Sequence, residues 1–408
     1  MYSLHLSPEQ LQIRDTVRDF VARDIKPLAL APTRLEAPTR PLLVEALDKA
    51  SHIGLRTLAL SEGKSGAGAD NLTCCIVTEE LAVGDADIAA VLAHTSTLAG
   101  ALFDSLMTPE QCARFLPAFL TEQRYHVALA EHEDGRDATL GVNYHRPQAS
   151  EPPFSTAAVR TGDEWIIQGC KDRVVGASIA ALFAVRATIG KGRATTLLVP
   201  RDAPGLTVMA SENSQHWQHG ACGSLIFDRC RVPAQNLLAA DAALFSDHGR
   251  RIPQEQAITL GIGRAAYEAA LDYAQLRVQG GRPLIEHQAI GAKLAEIAVR
   301  LEVARTAIWQ AAWASDHPDA FTDGSLPDLP LTMITAVFAS EAIYRAVKDA
   351  AECFGAMGVM RDMPLQKYVQ DARICLHSGM GSSEAKLRIA EALARYRRPP
   401  SAAVLAAE

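Results

Sequence analysis

Over the first 120 or so residues the apolar positions recur at helical spacing. Ser7-Pro8-Glu9-Gln10 opens the pattern with an N-cap serine, a proline at the first helical position and a glutamine at the third. Leu11, Val17, Phe20 and Val21 then fall near a 3.6-residue period. The loop Ser61 to Asp70 (SEGKSGAGAD) follows, and beyond it Leu72 to Leu106 is strongly apolar, the composition of helices in the middle of a bundle. Between Tyr125 and Val232 the period becomes that of strands. Ala157 to Val159 and Glu164 to Ile167 flank a Thr161-Gly162-Asp163 hairpin turn, and Ala181 to Ala187, Thr195 to Val199, Leu206 to Met209 and Ser224 to Phe227 follow, separated by Gly, Pro and Asp. Ala149 to Pro153 reads as an irregular insertion. After about Asn236 helical spacing returns in four segments, roughly Pro253 to Val278, His287 to Ser315, Leu331 to Phe354 and Pro364 to Arg395, broken by a Pro- and Asp-rich loop at Asp316 to Pro330. The pattern predicts an α+β chain in three parts: an N-terminal helical domain over 1–124, a middle β domain over 125–236 and a C-terminal four-helix bundle over 237–408.

Composition narrows the class without naming a reaction. With 408 residues, 48% hydrophobic and 21% charged, the chain can bury a large core and is long enough for two or three domains. A soluble multidomain enzyme is the expectation. A net charge of -7 and the lack of a dense basic block exclude a nucleic-acid binder, because neutralising several phosphates takes clustered cations. Of eight cysteines only Cys74 and Cys75 are adjacent and the rest are solitary. That pattern fits buried thiols in a reducing compartment and has neither disulfide nor zinc-ligand spacing, so no metal is expected. The opening MYSLHLSPEQLQIRDTVRDF lacks a basic-then-apolar signal region, and no run approaches the ~20 apolar residues of a membrane span. The expected compartment is the cytoplasm.

Candidate chemistry lies in a few strings. Glu352 to Ser383 reads ECFGAMGVMRDMPLQKYVQDARICLHSGMGSS, with a Gly-x-x-Gly turn at Gly355 and Gly358, a Pro364-Leu365 helix start and Asp371-Ala372-Arg373-Ile374 in a row. It resembles the C-terminal signature of the acyl-CoA dehydrogenase flavoproteins, in which a Gly-Gly-x-Gly turn and an Arg-Asp-Ala-Arg/Lys-Ile run lead to a catalytic Glu followed by Gly-Thr. Aligned without gaps, the Glu position falls on Gly379. Gly162 to Lys171 (GDEWIIQGCK) is similar to the family hairpin Gly-Asp-x-Tyr/Trp-x-x-Asn-Gly-x-Lys, and Phe227 to Leu238 (FDRCRVPAQNLL) to the junction Phe-x-x-Val-x-Val-Pro-x-x-Asn-Leu-Leu that closes the β domain. Ala130 to Asp137 (AEHEDGRD) aligns with Thr-Glu-Pro-Gly-x-Gly-Ser-Asp, matching at Glu131, Gly135 and Asp137; as a bare string it also reads as a polar strand-to-loop turn. Leu260 to Tyr267 carries small residues that allow close helix packing. It leads into Arg277 to Gln288 (RVQGGRPLIEHQ), which resembles Glu-Arg-x-x-Phe-Gly-x-x-Ile-x-x-x-Gln.

The resemblance implies the acyl-CoA dehydrogenase-like fold and an FAD cofactor. It implies that Glu131 and Val175 border the flavin, that Arg277 and Gln288 hold the FAD diphosphate and adenine side across a dimer interface, and that the backbone at Gly355 and Gly358 helps to supply donors. The expected assembly is a homotetramer, or a heteromer with a paralogous subunit. The implied reaction is α,β-desaturation of an acyl-CoA thioester, with electron-transfer flavoprotein or oxygen as acceptor. Several positions depart from the family pattern. Arg173-Val174-Val175 stands for Trp-Ile-Thr, removing a ring and a hydroxyl from the flavin face; Ala130 replaces a Thr hydroxyl, Gly280 a Phe, and Arg136 a Ser, putting a permanent cation beside the substrate. Asp247 and Arg251 resemble an Asp-x-x-x-Arg pair that lines the CoA pocket in some relatives, although from spacing the pair reads first as an ordinary i,i+4 surface pair.

The base must come from elsewhere, because neither Gly379 nor Arg250 or Arg251, at the alternative family position, can take a proton at neutral pH. Three candidates stand. Glu255 lies one helical turn beyond that alternative position. Asp87, with its neighbour Asp85, precedes an apolar run whose family counterpart borders the acyl end of the pocket, although Asp85 also matches a common structural Asp. His377 lies two residues before the vacant position and titrates near neutral pH. Two other readings stay open: a flavin monooxygenase or group-removing enzyme of the same fold, and a non-catalytic subunit that completes a partner's FAD site.

Overall fold

The computed structural model describes residues 5–37, 40–134, 154–190, 192–210, 221–239, 248–317, 330–377 and 382–394. Gly135, Arg136, Asp137, the 149–153 insertion, Asp247, most of the 316–330 break and Gly379 lie outside the described residues. The backbone divides into two compact units, one of residues 1–46, 70–90 and 248–386 and the other of residues 47–69, 91–247 and 387–408.

The first unit is helical. In α1 (Pro8–Phe20) the Ser7 hydroxyl accepts from the Gln10 amide at 3.1 Å and the Gln10 side chain accepts from the Ser7 amide at 3.0 Å, a reciprocal capping box. Val17 and Phe20 are buried, whereas Leu11 is exposed, because six residues at 100° each carry it about a third of a turn off their face. After α2 (Val44–His52), which passes into the second unit at Leu47, α3 (Asn71–Gly84) is buried along its whole length, and α4 (Ala86–Ala99), which passes into the second unit at Val91, follows after a break at Asp85. A π-helical turn over Gly100–Leu106 extends α4. Ala86–Leu106 therefore forms 21 helical residues containing an 18-residue window of mean hydropathy 1.4, so one run does reach the length and apolarity of a membrane span, contrary to the expectation. With 78% of that window buried inside the protein, it holds the position of a core helix.

After α5 (Pro109–Thr121), which belongs to the second unit, the C-terminal region supplies α6 (His248–Leu276), α7 (Gln288–Asp316), α8 (Leu331–Cys353) and α9 (Leu365–Cys375). Small residues let α6 approach its neighbours closely: a Cβ at Gly261 would lie 2.4 Å from Glu79 O of α3, and one at Gly263 2.6 Å from the Ile343 side chain of α8. The helix expected over Pro364 to Arg395 is two helices. α9 closes at Cys375, where the His377 amide turns back to Ile374 O at 2.9 Å, and α10 (Ser382–Leu393) resumes beyond it.

The second unit is built on a seven-stranded sheet of β1 (His126–Ala130), β2 (Ala157–Thr161), β3 (Glu164–Val175), β4 (Ala180–Ile189), β5 (Arg193–Pro200), β6 (Leu206–Ala210) and β7 (Cys222–Pro233), in the order β1-β4-β2-β3-β7-β6 with β5 also on β4. β2 and β3 form the expected hairpin, with Val159 opposite Ile166 and Thr161 opposite Glu164. Trp165, Ile167, Phe183, Val185, Leu197, Val199, Leu225 and Phe227 fill one core. Phe103, Phe115, Phe119, Val127, Leu182 and Leu198 form a second, between α5 and the sheet. The order helices, sheet, helices is the expected one. All eight cysteines carry free thiols.

Candidate active site

In the strand-bearing unit, β1 pairs in parallel with β4 and leaves the sheet at Ala130. The next residues cross a bulge in β3, where the register against β7 shifts between Lys171 and Val174. The Asp172 amide donates to His132 O at 3.0 Å, and the wholly buried Lys171 ammonium donates to Glu133 at 2.7 Å. Glu133 also accepts from the Ser155 amide at 2.7 Å, the Ser155 hydroxyl at 2.8 Å and the Thr156 amide at 3.0 Å. Burial alone would raise the Glu133 pKa, but Lys171, Thr156 and Ser155 outweigh it and bring the carboxyl down to about 2. Glu131 is half-buried, and its carbonyl lies 3.5 Å from the Lys171 ammonium. The sequence pointed to Glu131 and Lys171 but not to Glu133. Its one signal is a second acid two positions along an extended segment.

The bulge places Arg173 in the left-handed region, at φ 53, a conformation that costs a non-glycine residue of order 1 kcal/mol. Its Nε donates to His132 Nδ1 at 3.2 Å and its guanidinium lies 3.8 Å from Asp134. Burial, then Arg173, lowers the His132 pKa. Val175 ends β3 half-buried, opposite Cys222. At the start of β1, His126 is 2% exposed with Nδ1 3.3 Å from the Thr95 hydroxyl. Burial, then the Arg56 charge, lowers it to about 4. Arg56 donates to the carbonyls of Phe119 and Tyr125 at 2.5 and 2.6 Å.

In the helical unit, α6 runs into a two-stranded ribbon of β8 (Val278–Gln279) and β9 (Arg282–Pro283). Its turn is Gly280-Gly281, with φ of 63 and 82, and a two-residue turn with both φ positive takes glycine and no phenylalanine. The Leu284 amide donates to Arg277 O at 2.9 Å and the His287 ring to Gln279 O at 3.0 Å, so the ribbon folds back and delivers Gln288 as the first residue of α7. Arg277 and Gln288 are exposed, and Arg277 makes no ion pair among the described residues. Tyr273, one turn before Arg277, stacks on Phe354 at 4.2 Å and 14°, which leads directly to Gly355. Gly355 has φ 57 and open space where a Cβ would be, while a Cβ on Gly358 would lie 2.5 Å from Ala351 O. A cation, an amide and an open glycine turn thus gather at one end of these helices, and that donor set fits the diphosphate of a dinucleotide.

Of the proposed bases, Glu255 is half-buried in α6 and close enough to the Cys375 thiol to help raise its pKa. Thr259 joins them, its hydroxyl donating to Glu255 O at 3.2 Å. His377 is exposed two residues beyond Cys375. The structure thus brings Glu255 to the end of α9. Asp87 is 2% exposed in the first turn of α4, its amide donating to Asp85 at 3.1 Å. Asp85 caps α4, also accepting from the Ile88 amide at 3.3 Å. Arg251 is half-buried in the first turn of α6.

Residues 7–123 match the acyl-CoA dehydrogenase N-terminal domain and residues 253–394 the acyl-CoA dehydrogenase C-terminal domain. The mitochondrial short-chain specific acyl-CoA dehydrogenase of Rattus norvegicus is 29% identical over 408 residues, 97% of this chain and 92% of that protein. Butyryl-CoA dehydrogenase from Megasphaera elsdenii has the same fold, with a TM-score of 0.83 at 24% identity over 97% of this chain and 100% of that one. So has a glutaryl-CoA dehydrogenase from Mycobacterium smegmatis solved in complex with FADH2, with a TM-score of 0.82 at 21% identity over 97% and 96% of the two chains. The chain belongs to the acyl-CoA dehydrogenase family of FAD-dependent oxidoreductases.

Proposed function

We propose that this protein desaturates an acyl-CoA thioester between its α and β carbons, with Glu255 as the base and electron-transfer flavoprotein as the acceptor. The observation that carries the base assignment is the position of Glu255, half-buried and beside Cys375 at the end of α9, four residues ahead of the position where the family's catalytic Glu would stand. Asp87, 2% exposed, is far less accessible to a substrate carbon. Arg277, Gln288 and the Gly355 to Gly358 turn hold the FAD diphosphate, and bound FAD supplies the hydride acceptor. Glu255 takes the proton from the carbon next to the thioester as hydride leaves the neighbouring carbon. The Glu133 and Lys171 pair fixes the segment Glu131 to Asp134 that leads away from β1. The exposed Arg277 and Gln288 suit a cofactor shared across subunits, so the assembly is a homotetramer in the cytoplasm.

Single-turnover reduction of bound FAD by butyryl-CoA under nitrogen tests the reading. The Glu255→Gln variant should keep its yellow colour and lose roughly 100-fold or more in the rate of bleaching. An unchanged rate would pass the role to Asp87 or His377, distinguished by Asp87→Asn and His377→Gln in the same assay. No bleaching by acyl-CoA, with turnover that needs a flavin reductase and oxygen, would mark a monooxygenase, and a colourless purified protein a non-catalytic subunit.

A further inference from the structure

Five charged side chains that the dehydrogenase reading leaves unused meet inside the helical unit. Arg34, Arg40, Asp85, Lys367 and Asp371 are each 9% exposed or less. Asp371 accepts from Lys367 at 2.6 Å; one oxygen of Asp85 caps α4, and the other makes no hydrogen bond among the described residues and lies 3.7 Å from Lys367 and 3.8 Å from Arg34. The arginines are less fully engaged. Arg34 donates Nη1 to Pro41 O at 2.6 Å, but its Nε and Nη2 make no hydrogen bond among the described residues, and neither do Nε and Nη1 of Arg40. Burial lowers the Arg40 pKa, with Arg34 adding to the effect and Asp371 and Asp85 opposing it, yet a guanidinium stays charged across the physiological range. Three cations against two anions leave one positive charge, and four guanidinium nitrogens on the two planar forks make no hydrogen bond among the described residues, one of them, Arg34 Nη2, lying 3.8 Å from Asp85. A carboxylate supplies what is missing, one negative charge and two coplanar oxygens, whereas a phosphate dianion would overshoot the charge.

We propose that Arg34 and Arg40 form a carboxylate-binding subsite, whose ligand is either a free carboxylate or the carboxylate at the far end of an acyl chain. The test is thermal unfolding of the FAD-loaded full-length protein in succinate or adipate against sodium chloride at equal ionic strength. The wild type should gain about 3 °C or more from the dicarboxylates. Arg40→Met should lose that gain, and Arg40→Lys, which keeps the charge but not the fork, should lose most of it. No carboxylate-specific gain in the wild type, or an equal gain in Arg40→Met, would overturn the proposal. This arm needs no turnover, so its failure is separate from any failure of the desaturation reading.

A second arm, which does rest on that reading, identifies the source. Succinyl-CoA and adipoyl-CoA are compared with butyryl-CoA and hexanoyl-CoA for the rate of FAD bleaching. A preference of about tenfold for the carboxylated chains, as one bidentate charged contact would give, lost in Arg40→Met, assigns the subsite to the thioester. Equal rates alongside the thermal gain assign it to a free carboxylate.

Discussion

Lys171 is wholly buried and Glu133 is its anion at 2.7 Å, so neither can be removed alone without leaving a charge in the interior. Glu133→Gln should destabilise the protein by about 3 kcal/mol, read as a lower urea midpoint at unchanged slope; a loss below about 1 kcal/mol would mean that Lys171 finds another acceptor. The lysine was legible, because it ends a hairpin string with a defined turn and spacing. Its partner was not, since the two lie 38 residues apart and no local rule links them; the pairing follows from how β1 leaves the sheet across the β3 bulge. Glu255 was proposed from the family's alternative base position together with helical spacing. Arg34 and Arg40 could not, because charges near a proline-containing segment read as solvated surface until burial is known.

At the scale of elements, the glycine turn after α8 is a close approach of backbone to backbone. Gly358→Ala would put a Cβ 2.5 Å from Ala351 O. It should cost about 2 kcal/mol and reduce the FAD-to-protein absorbance ratio of the purified enzyme. Gly355→Ala, with open space but φ 57, should cost about 1 kcal/mol and serves as the comparison. Turns of this kind were plain in the sequence because glycine and proline act locally. The end of α9 was not, since neither residue occurs between Leu365 and His377 and the helical spacing runs on through Cys375. The full length of β3 was hidden for a related reason: its two register shifts break the alternation of inward and outward side chains that marks a strand.

For the molecule as a whole, His126 and Glu133 of the strand-bearing unit should contribute to acid sensitivity, beside His132, whose pKa burial also lowers. His126 falls from an ordinary value near 6.5 to about 4 on folding, and Glu133 from the ordinary carboxylate range to about 2. In both cases the unfolded chain binds protons first, so the stabilisation is complete above the unfolded values and is lost as pH falls. The urea midpoint should hold near pH 7, decline from about 6.5 toward 4 as His126 is driven to charge, and decline again below about 4 as Glu133 is protonated. His126→Gln should flatten the upper decline and leave the lower one; an unaltered profile would assign the acid sensitivity to other groups. The alternation of helix and strand periods was enough to place helices before and after a sheet, but which side chains of that sheet stay neutral depends on burial that no periodicity records. The same burial acts on sulfur. It pushes the thiols of Cys170 and Cys230 up to about 11 and that of Cys375 to about 12, and raises those of Cys75, Cys112 and Cys353 as well. Reduced flavin that meets oxygen releases peroxide, and peroxide attacks thiolates. With these six thiols kept protonated at cellular pH, the protein offers that oxidant fewer points of attack.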